Sequence, residues 1–332
     1  MSNTNTVPFK DLLGKARKSS LFSVALLLVV SVVAISIISP SFLSQSNLKT
    51  TSIGFSCNGI IAIAMTVALI SGGFDLSVGA VMGLSAACLL QLSNSGLNVW
   101  VAAVLAVAIS CIVGTFTGFL VGYVKLNPFI TTLGMQQVCR GLVYVLTKGG
   151  SVPFSTVATA QDVSVFRSLG TGEVFGFPTL VIIFVVVAIL AEIIVRKSSL
   201  MMRVFYVGSN EKAAILSGIN AKAVKLFVYI LTAGLAGVAG VLNSARFGIA
   251  SSSTGNGVEM TVISAAVIGG ASLAGGSGSV LGSVFGVILL SVLNNALVLF
   301  RVSLHWQSVI SGIVLILAIL LDLLNNRNKY KA

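Results

Sequence analysis

Serine, histidine, aspartate and arginine are the residue types through which so apolar a chain could do chemistry, and few of them stand in a useful pattern. Gly275-Gly276-Ser277-Gly278 fits a G-x-S-G nucleophile turn, and His305, the single histidine, is the one imidazole available as its base. Nucleophilic catalysis needs the two side chains within hydrogen-bond reach, which only the placement of the surrounding elements decides. The four cysteines, Cys57, Cys88, Cys111 and Cys139, lie in apolar runs with no metal-type spacing. They read as small packing residues rather than disulfide partners or metal ligands. In Gly72-Gly73-Phe74-Asp75-Leu76-Ser77-Val78-Gly79, the two glycines free the backbone for a sharp turn. Asp75 can cap a helix beginning at Leu76, with Ser77 beside it. Coordination of an ion or solute is the alternative, because a carboxylate inside a membrane is costly. Thr131, Thr132, Gln136 and Arg140 make one polar segment, and Thr132, Gln136 and Arg140 recur every four residues on one helix face. Such a face either lines a water-filled path or hydrogen-bonds to neighbouring helices.

The elements that must position these groups are membrane spans. The chain of 332 residues is 56% hydrophobic and 8% charged, against roughly 25% charged in soluble domains. About 20 apolar residues make one crossing. Leu21–Ile38 and Ile53–Ser71 supply two. No charge occurs between Asp75 and Lys125, and the Ser93–Asn98 turn splits this stretch into Leu76–Leu92 and Val99–Val121. Phe129–Thr147, Thr179–Val195 and Leu226–Leu242 follow. The uncharged run Met260–Phe300 breaks at Gly275–Gly278 into a short and a longer helix, and Trp306–Leu323 completes about ten spans. The expected fold is therefore all-α and polytopic. Residues 1–20 form an N-terminal segment, 21–324 the membrane domain, and 325–332 a tail. Leu21–Ile38 is read as a retained first span, since Ser39-Pro40-Ser41 offers no small-x-small cleavage site. Spans 2–5 and 7–10 run in opposite directions, the topology of an inverted repeat. Glycines such as Gly114, Gly118, Gly234, Gly237 and Gly240 suit close helix packing, and Asn58, Asn294 and Asn295 suit interhelical hydrogen bonds.

Basic residues give the expected orientation. With both termini in the cytoplasm, 14 of the 20 Lys and Arg residues fall inside, five outside, and Arg140 within a span. Six of the inner ones, Arg196, Lys197, Arg203, Lys212, Lys222 and Lys225, stand in the 196–225 loop. Within that loop Gly208–Ile219 reads as a short helix: Asn210 caps it, Glu211 sits at its positive end, and Gly218 stops it. In this topology Ser277 and His305 lie near opposite faces, about 30 Å apart, and the nucleophile reading fails. No catalytic or metal-binding residues are expected.

Four stretches together resemble a known family. Gly72–Gly79 is similar to the x-[IF]-D-L-S-V-G signature of ribose-type ABC importer permeases. Asn127-Pro128-Phe129-Ile130-Thr131-Thr132-Leu133-Gly134 with Arg140-Gly141 resembles that family's N-P-F-I-x-T-L-G…R-G stretch. Gly208–Ile219 resembles its coupling loop, and Ala265–Gly278 its A-A-V-I-G-G-x-S-L-x-G-G-x-G run, all in collinear order between Phe42 and Asp322. Ser209 and Ser277 depart from the pattern. The resemblance implies a permease importing a monosaccharide delivered by an extracytoplasmic sugar-binding protein, paired with a second copy or a sister permease in the bacterial plasma membrane. It further implies that Gly208, Asn210, Glu211, Ala213, Ala214, Ser217 and Gly218 dock a cytosolic ATP-binding subunit. ATP and Mg would be used by that subunit, because the chain has no G-x-x-x-x-G-K-[ST] loop and is expected to bind no cofactor itself. Thr131, Thr132, Gln136 and Arg140 would line the path. An ion-gradient-driven transporter is the rival, disfavoured because Asp75 and Glu192 map near one membrane edge. Within the importer class, nucleosides, branched amino acids or a furanosyl signalling molecule remain as solutes.

Overall fold

The computed structural model describes residues 20–154 and 160–303, with scattered positions between 306 and 320. The N-terminal segment, His305, most of the tenth span and the tail lie outside the described residues. Nine helices stand where the first nine spans were expected. They are α1 (Ser20–Ile38), α2 (Gln45–Ile70), α3 (Val78–Asn94), α4 (Val99–Gly122), α5 (Pro128–Thr147), α7 (Thr179–Lys197), α10 (Ala221–Phe247), α11 (Val258–Ile268) and α12 (Val280–Leu299). Six of these are long and apolar enough to cross a membrane: α1, α2, α4, α7, α10 and α12. The chain is a multi-pass α-helical membrane protein.

The loops hold more structure than their polarity suggested. Three further helices lie outside the spans: α6 (Ala160–Thr171), α8 (Ser199–Ser209) and α9 (Glu211–Leu216). Strand β1 (Ser151–Pro153) pairs antiparallel with β4 (Ile249–Ser251). Strands β2 (Glu173–Val174) and β3 (Phe177–Pro178) close a two-residue hairpin through Phe175 and Gly176, both at positive φ, as type I′ turns require.

Helix α2 is the core: from Gly59 to Ile70 every residue is buried, the pattern of a helix apolar on all sides. Helix α10 packs along α4, α3 and α2. Its closeness to α4 depends on the absence of side chains at three positions a turn apart. A Cβ at Gly114 would stand 2.4 Å from the Tyr229 carbonyl oxygen, one at Gly118 2.9 Å from Leu226 Cα, and one at Gly122 2.8 Å from the Lys222 oxygen. Backbone contact of this kind drives helix association where lipid removes the hydrophobic drive. Asn295 of α12 and Asn47 of α2 exchange two hydrogen bonds of 2.9 Å.

Two ends result. One gathers the turns 71–77, 123–127, 198–220 and 269–279. The other gathers 95–98, 148–154, 162–178 and 248–257: Asn94 donates to the Pro153 carbonyl at 2.9 Å, Asn98 to Asp162 at 3.1 Å, and Phe154 N–H to the Gly248 carbonyl at 3.2 Å. These are the two loop sets that the alternation of spans separates. Helices α3 and α11, second in their respective sets of four, start from opposite ends. At about 1.5 Å per residue, the 11 residues of α11 span only some 16 Å. The irregular segments flanking it therefore enter the bundle, where protein rather than water satisfies their backbone.

Candidate functional site

At the first end, α8 and α9 form a surface ledge. Ser198 Oγ accepts from Leu200 N–H at 3.2 Å and starts α8, whose Met201, Val204 and Val207 face inward. Asn210 Oδ1 accepts from Ala213 N–H at 3.0 Å and starts α9. Glu211, in the first turn, is held by Lys225 Nζ at 2.7 Å. Ser217 Oγ donates back to the Ala213 carbonyl at 3.0 Å. Gly218, at φ 81°, ends the helix as Ile219 N–H reaches the Ala214 carbonyl at 3.0 Å, a C-terminal motif that favours glycine. The residues grouped in the sequence then divide by place. Ala214 is buried and anchors the helix; Asn210, Glu211, Ala213, Ser217 and Gly218 are exposed. So are Ile215 and Leu216, the latter 89% exposed. This apolar pair was missed because small residues drew attention; two adjacent bulky side chains on a six-residue helix, too short to bury both, were the available signal.

Gly208 does a different job. A Cβ there would lie 1.7 Å from the Ile70 carbonyl oxygen and 2.9 Å from Gly276 N. Gly276 N–H in turn donates to Ile70 O at 2.9 Å. Gly72, at φ 80°, stacks on the same point, and a Cβ on Gly275 would meet Gly72 Cα at 2.8 Å. The turn after α2, the last turn of α8 and the glycine turn before α12 thus meet backbone to backbone beneath the ledge. Ser277 belongs to this turn, its carbonyl accepting from Ser272 N–H at 3.0 Å.

Asp75 is fully buried beside this junction. Helix α3 begins at Val78 rather than Leu76, with Ser77 in the N-cap position and no side-chain cap bond. Asp75 instead accepts from Ser77 N–H at 2.8 Å, Ser77 Oγ at 2.6 Å and Thr232 Oγ1 at 3.3 Å. It ties the turn to itself and to α10. Gly73 leaves room for Tyr229, whose hydroxyl would sit 3.0 Å from a Cβ at that position.

Helix α5 starts at Pro128 with Asn127 Oδ1 accepting from Phe129 N–H at 2.9 Å. Thr131 and Thr132 are buried and donate to the carbonyls of Asn127 and Pro128 at 2.8 and 2.9 Å. Arg140 Nη1 donates to the Ser252 and Thr254 carbonyls at 3.1 and 2.7 Å, and Gln136 Nε2 to Glu259 Oε1 at 3.1 Å. All four side chains are bonded within the chain, and Glu259 joins them as a partner that the sequence did not single out. The 252–259 segment fits because α3 presents glycines: a Cβ on Gly79 would meet Gly255 O at 2.3 Å and Glu259 Oε2 at 2.4 Å. Arg140 Nη2 and Glu259 Oε2 have no hydrogen-bond partner. The opposite face of α5, with Ile130, Gly134, Gln137, Gly141 and Val145, is free of the rest of the chain.

A bundle of membrane-crossing helices with an exposed helical ledge at one end and buried polar groups along α5 is the frame in which comparison with known proteins places a permease, a transport subunit. The chain belongs to the branched-chain amino acid transport system / permease component family, whose model matches residues 47–319. It is 36% identical to the ribose import permease protein RbsC of Escherichia coli K12 over 90% of this chain and 92% of that one. It is 34% identical to the fructose import permease protein FruF of Bifidobacterium longum over 74% and 68%. It is 31% identical to the L-arabinose transport system permease protein AraH of Escherichia coli K12 over 86% and 84%. No solved structure matches the chain.

Proposed function

We propose that this chain is the membrane-spanning permease of an ATP-driven importer, translocating a monosaccharide handed over by an extracytoplasmic binding protein. The observation that carries the solute class is the near-full-length similarity to permeases named for ribose, fructose and arabinose. The ledge carries the coupling role: Ile215 and Leu216 stand exposed on a capped helix whose base is locked to the ends of α2 and α11. An apolar pair held this way suits insertion into a cleft of a separate ATPase, with Lys212, Ala213, Ser217 and Gly218 around it. ATP and Mg belong to that subunit, and this chain binds no cofactor. Both termini and the ledge face the cytoplasm of a bacterial plasma membrane, in keeping with the 14 to 5 distribution of basic residues.

The path runs along α5 against a second permease. Its free face sets the Gln137 amide between the small residues Gly134 and Gly141, a polar group that is costly against lipid, while Thr131, Thr132, Gln136 and Arg140 support it from behind. The test is ATP hydrolysis in proteoliposomes holding the permease, its ATPase and its binding protein, with a panel of monosaccharides. Stimulation by one sugar, lost in Leu216→Asp with the permease still in the membrane, is the expected result. Uptake that follows an ion gradient and ignores ATP would overturn the reading.

A further inference from the structure

We infer that the groove between α1, α2 and α12 is a binding site for one membrane phospholipid with a primary amine in its headgroup. The groove encloses about 1080 Å³. At about 30 Å³ per molecule, that space would hold on the order of thirty waters, against walls too apolar to keep them. Its depth matches one leaflet. From the end of α1 at Ile38 down to Leu28 is ten residues, and from the end of α12 at Leu299 down to Ile288 is eleven, both lining the groove floor. Each is about 15–16 Å, half of a hydrocarbon core of roughly 30 Å. Helix α1 leaves most of its surface uncovered, so the groove borders the bilayer.

The polar side chains of the lining, Gln45, Ser46, Lys49, Thr51, Ser52 and Glu173, come from the first two turns of α2 and the hairpin, at the mouth. Lys49 of α2 and Glu173 of the β2–β3 hairpin form an ion pair there, each side chain about 40% exposed. One half-turn deeper, Thr51 Oγ1 is buried, lines the groove and has no hydrogen-bond partner. Below it the walls are Leu28, Val32, Ile288 and Val292. A headgroup phosphate takes Lys49, its ammonium takes Glu173, and the acyl chains fill the apolar part. The hairpin covers this arrangement, with Phe175 98% and Phe177 66% exposed, as aromatic side chains sit at the membrane–water boundary. The two charges select the head: a choline cannot donate a hydrogen bond to Glu173, and a glycerol head brings no cation to take the place of Lys49 there. The inference does not depend on what the permease carries.

The experiment is native mass spectrometry of the purified full chain, followed by delipidation and rebinding of phosphatidylethanolamine, phosphatidylcholine or phosphatidylglycerol read by thermal shift. Phosphatidylethanolamine should bind about tenfold more tightly than the other two, the worth of one charge-assisted hydrogen bond. Glu173→Gln should erase the preference, and Ile288→Trp should fill the floor and prevent retention. Glu173→Gln changes an exposed side chain, so it reads the site even if Ile288→Trp does not fold. Equal binding of all three lipids, or a preference unaltered by Glu173→Gln, would overturn the inference. So would variants that spare lipid retention but weaken capture of the binding protein, which would make the groove a protein-docking surface.

Discussion

Two carboxylates are buried among the described residues, near opposite ends of the bundle, and they are held in different ways. Asp75 accepts three hydrogen bonds, two from Ser77 and one from Thr232 of α10, and sits beside three interlocked turns. Glu259 accepts one, from Gln136, and its second oxygen has no partner. Its neighbour Arg140 likewise uses one nitrogen and leaves another idle. A buried polar group left unpaired costs about 1–3 kcal/mol. The end that would meet the ATPase is therefore saturated and rigid. The other end, where α5 grips the 252–259 segment, is under-satisfied and can change partners. A machine that transmits a push from one end to a gate at the other needs this asymmetry.

The harshest way to break the comparison is to attack the rigid end at Gly208. Gly208→Val places a branched side chain where a Cβ already stands 1.7 Å from the Ile70 oxygen. The neighbour is backbone, so nothing flexible can yield. We expect a loss of about 4 kcal/mol or more, seen as failure to recover folded protein from the membrane. Gly134→Val, on the free face of α5 where no atom lies within 4 Å, is the control that should fold normally.

Asp75 tests the same end more gently. Asp75→Ala strands the Ser77 N–H and hydroxyl and should cost about 1–3 kcal/mol, lowering the thermal midpoint in detergent. Asp75→Asn keeps one acceptor oxygen of the same reach, and should cost about 1 kcal/mol, the difference between a charged and a neutral acceptor. Equal losses for the two variants would mean that charge, rather than hydrogen bonding, holds the turn.

How much of this was legible beforehand follows from what each feature depends on. Span positions were, because hydropathy and length are local: Val99–Val121 became Val99–Gly122, and Leu21–Ile38 became Ser20–Ile38. The ledge helix was also readable, since Asn210 and Gly218 act through backbone groups within four residues. Gly208 looked like part of the ledge and is instead its foundation, because its contacts come from Ile70 and Gly276, far away in sequence. Arg140, Gln136 and Thr132 were rightly grouped on one face, but periodicity says nothing about what that face meets. The partners of Arg140 and Gln136, the carbonyls of Ser252 and Thr254 and the side chain of Glu259, lie more than 110 residues away. The helix α6 repeats Val163, Phe166 and Leu169 at helical spacing, a local signal that its short, polar setting concealed.

The subtlest prediction concerns the loose end itself. No ion pair of 4 Å or less joins Arg140 to Glu259, yet both are more than nine-tenths buried. Glu259→Gln relieves a stranded carboxylate oxygen, a gain of about 1–3 kcal/mol. It also removes the buried negative charge on the 252–259 segment that Arg140 grips, a loss of similar size. These terms cancel, so the thermal midpoint of Glu259→Gln should stay close to that of the unaltered protein. Arg140→Gln has no such compensation: it loses the bonds to Ser252 and Thr254 and leaves Glu259 charged and alone, which is the costly way to break a buried pair. The double variant Arg140→Gln with Glu259→Gln should then be more stable than Arg140→Gln by itself, a coupling that a double-mutant cycle reads directly. Additive losses would show that the two residues act independently, and that the second end is no looser than the first.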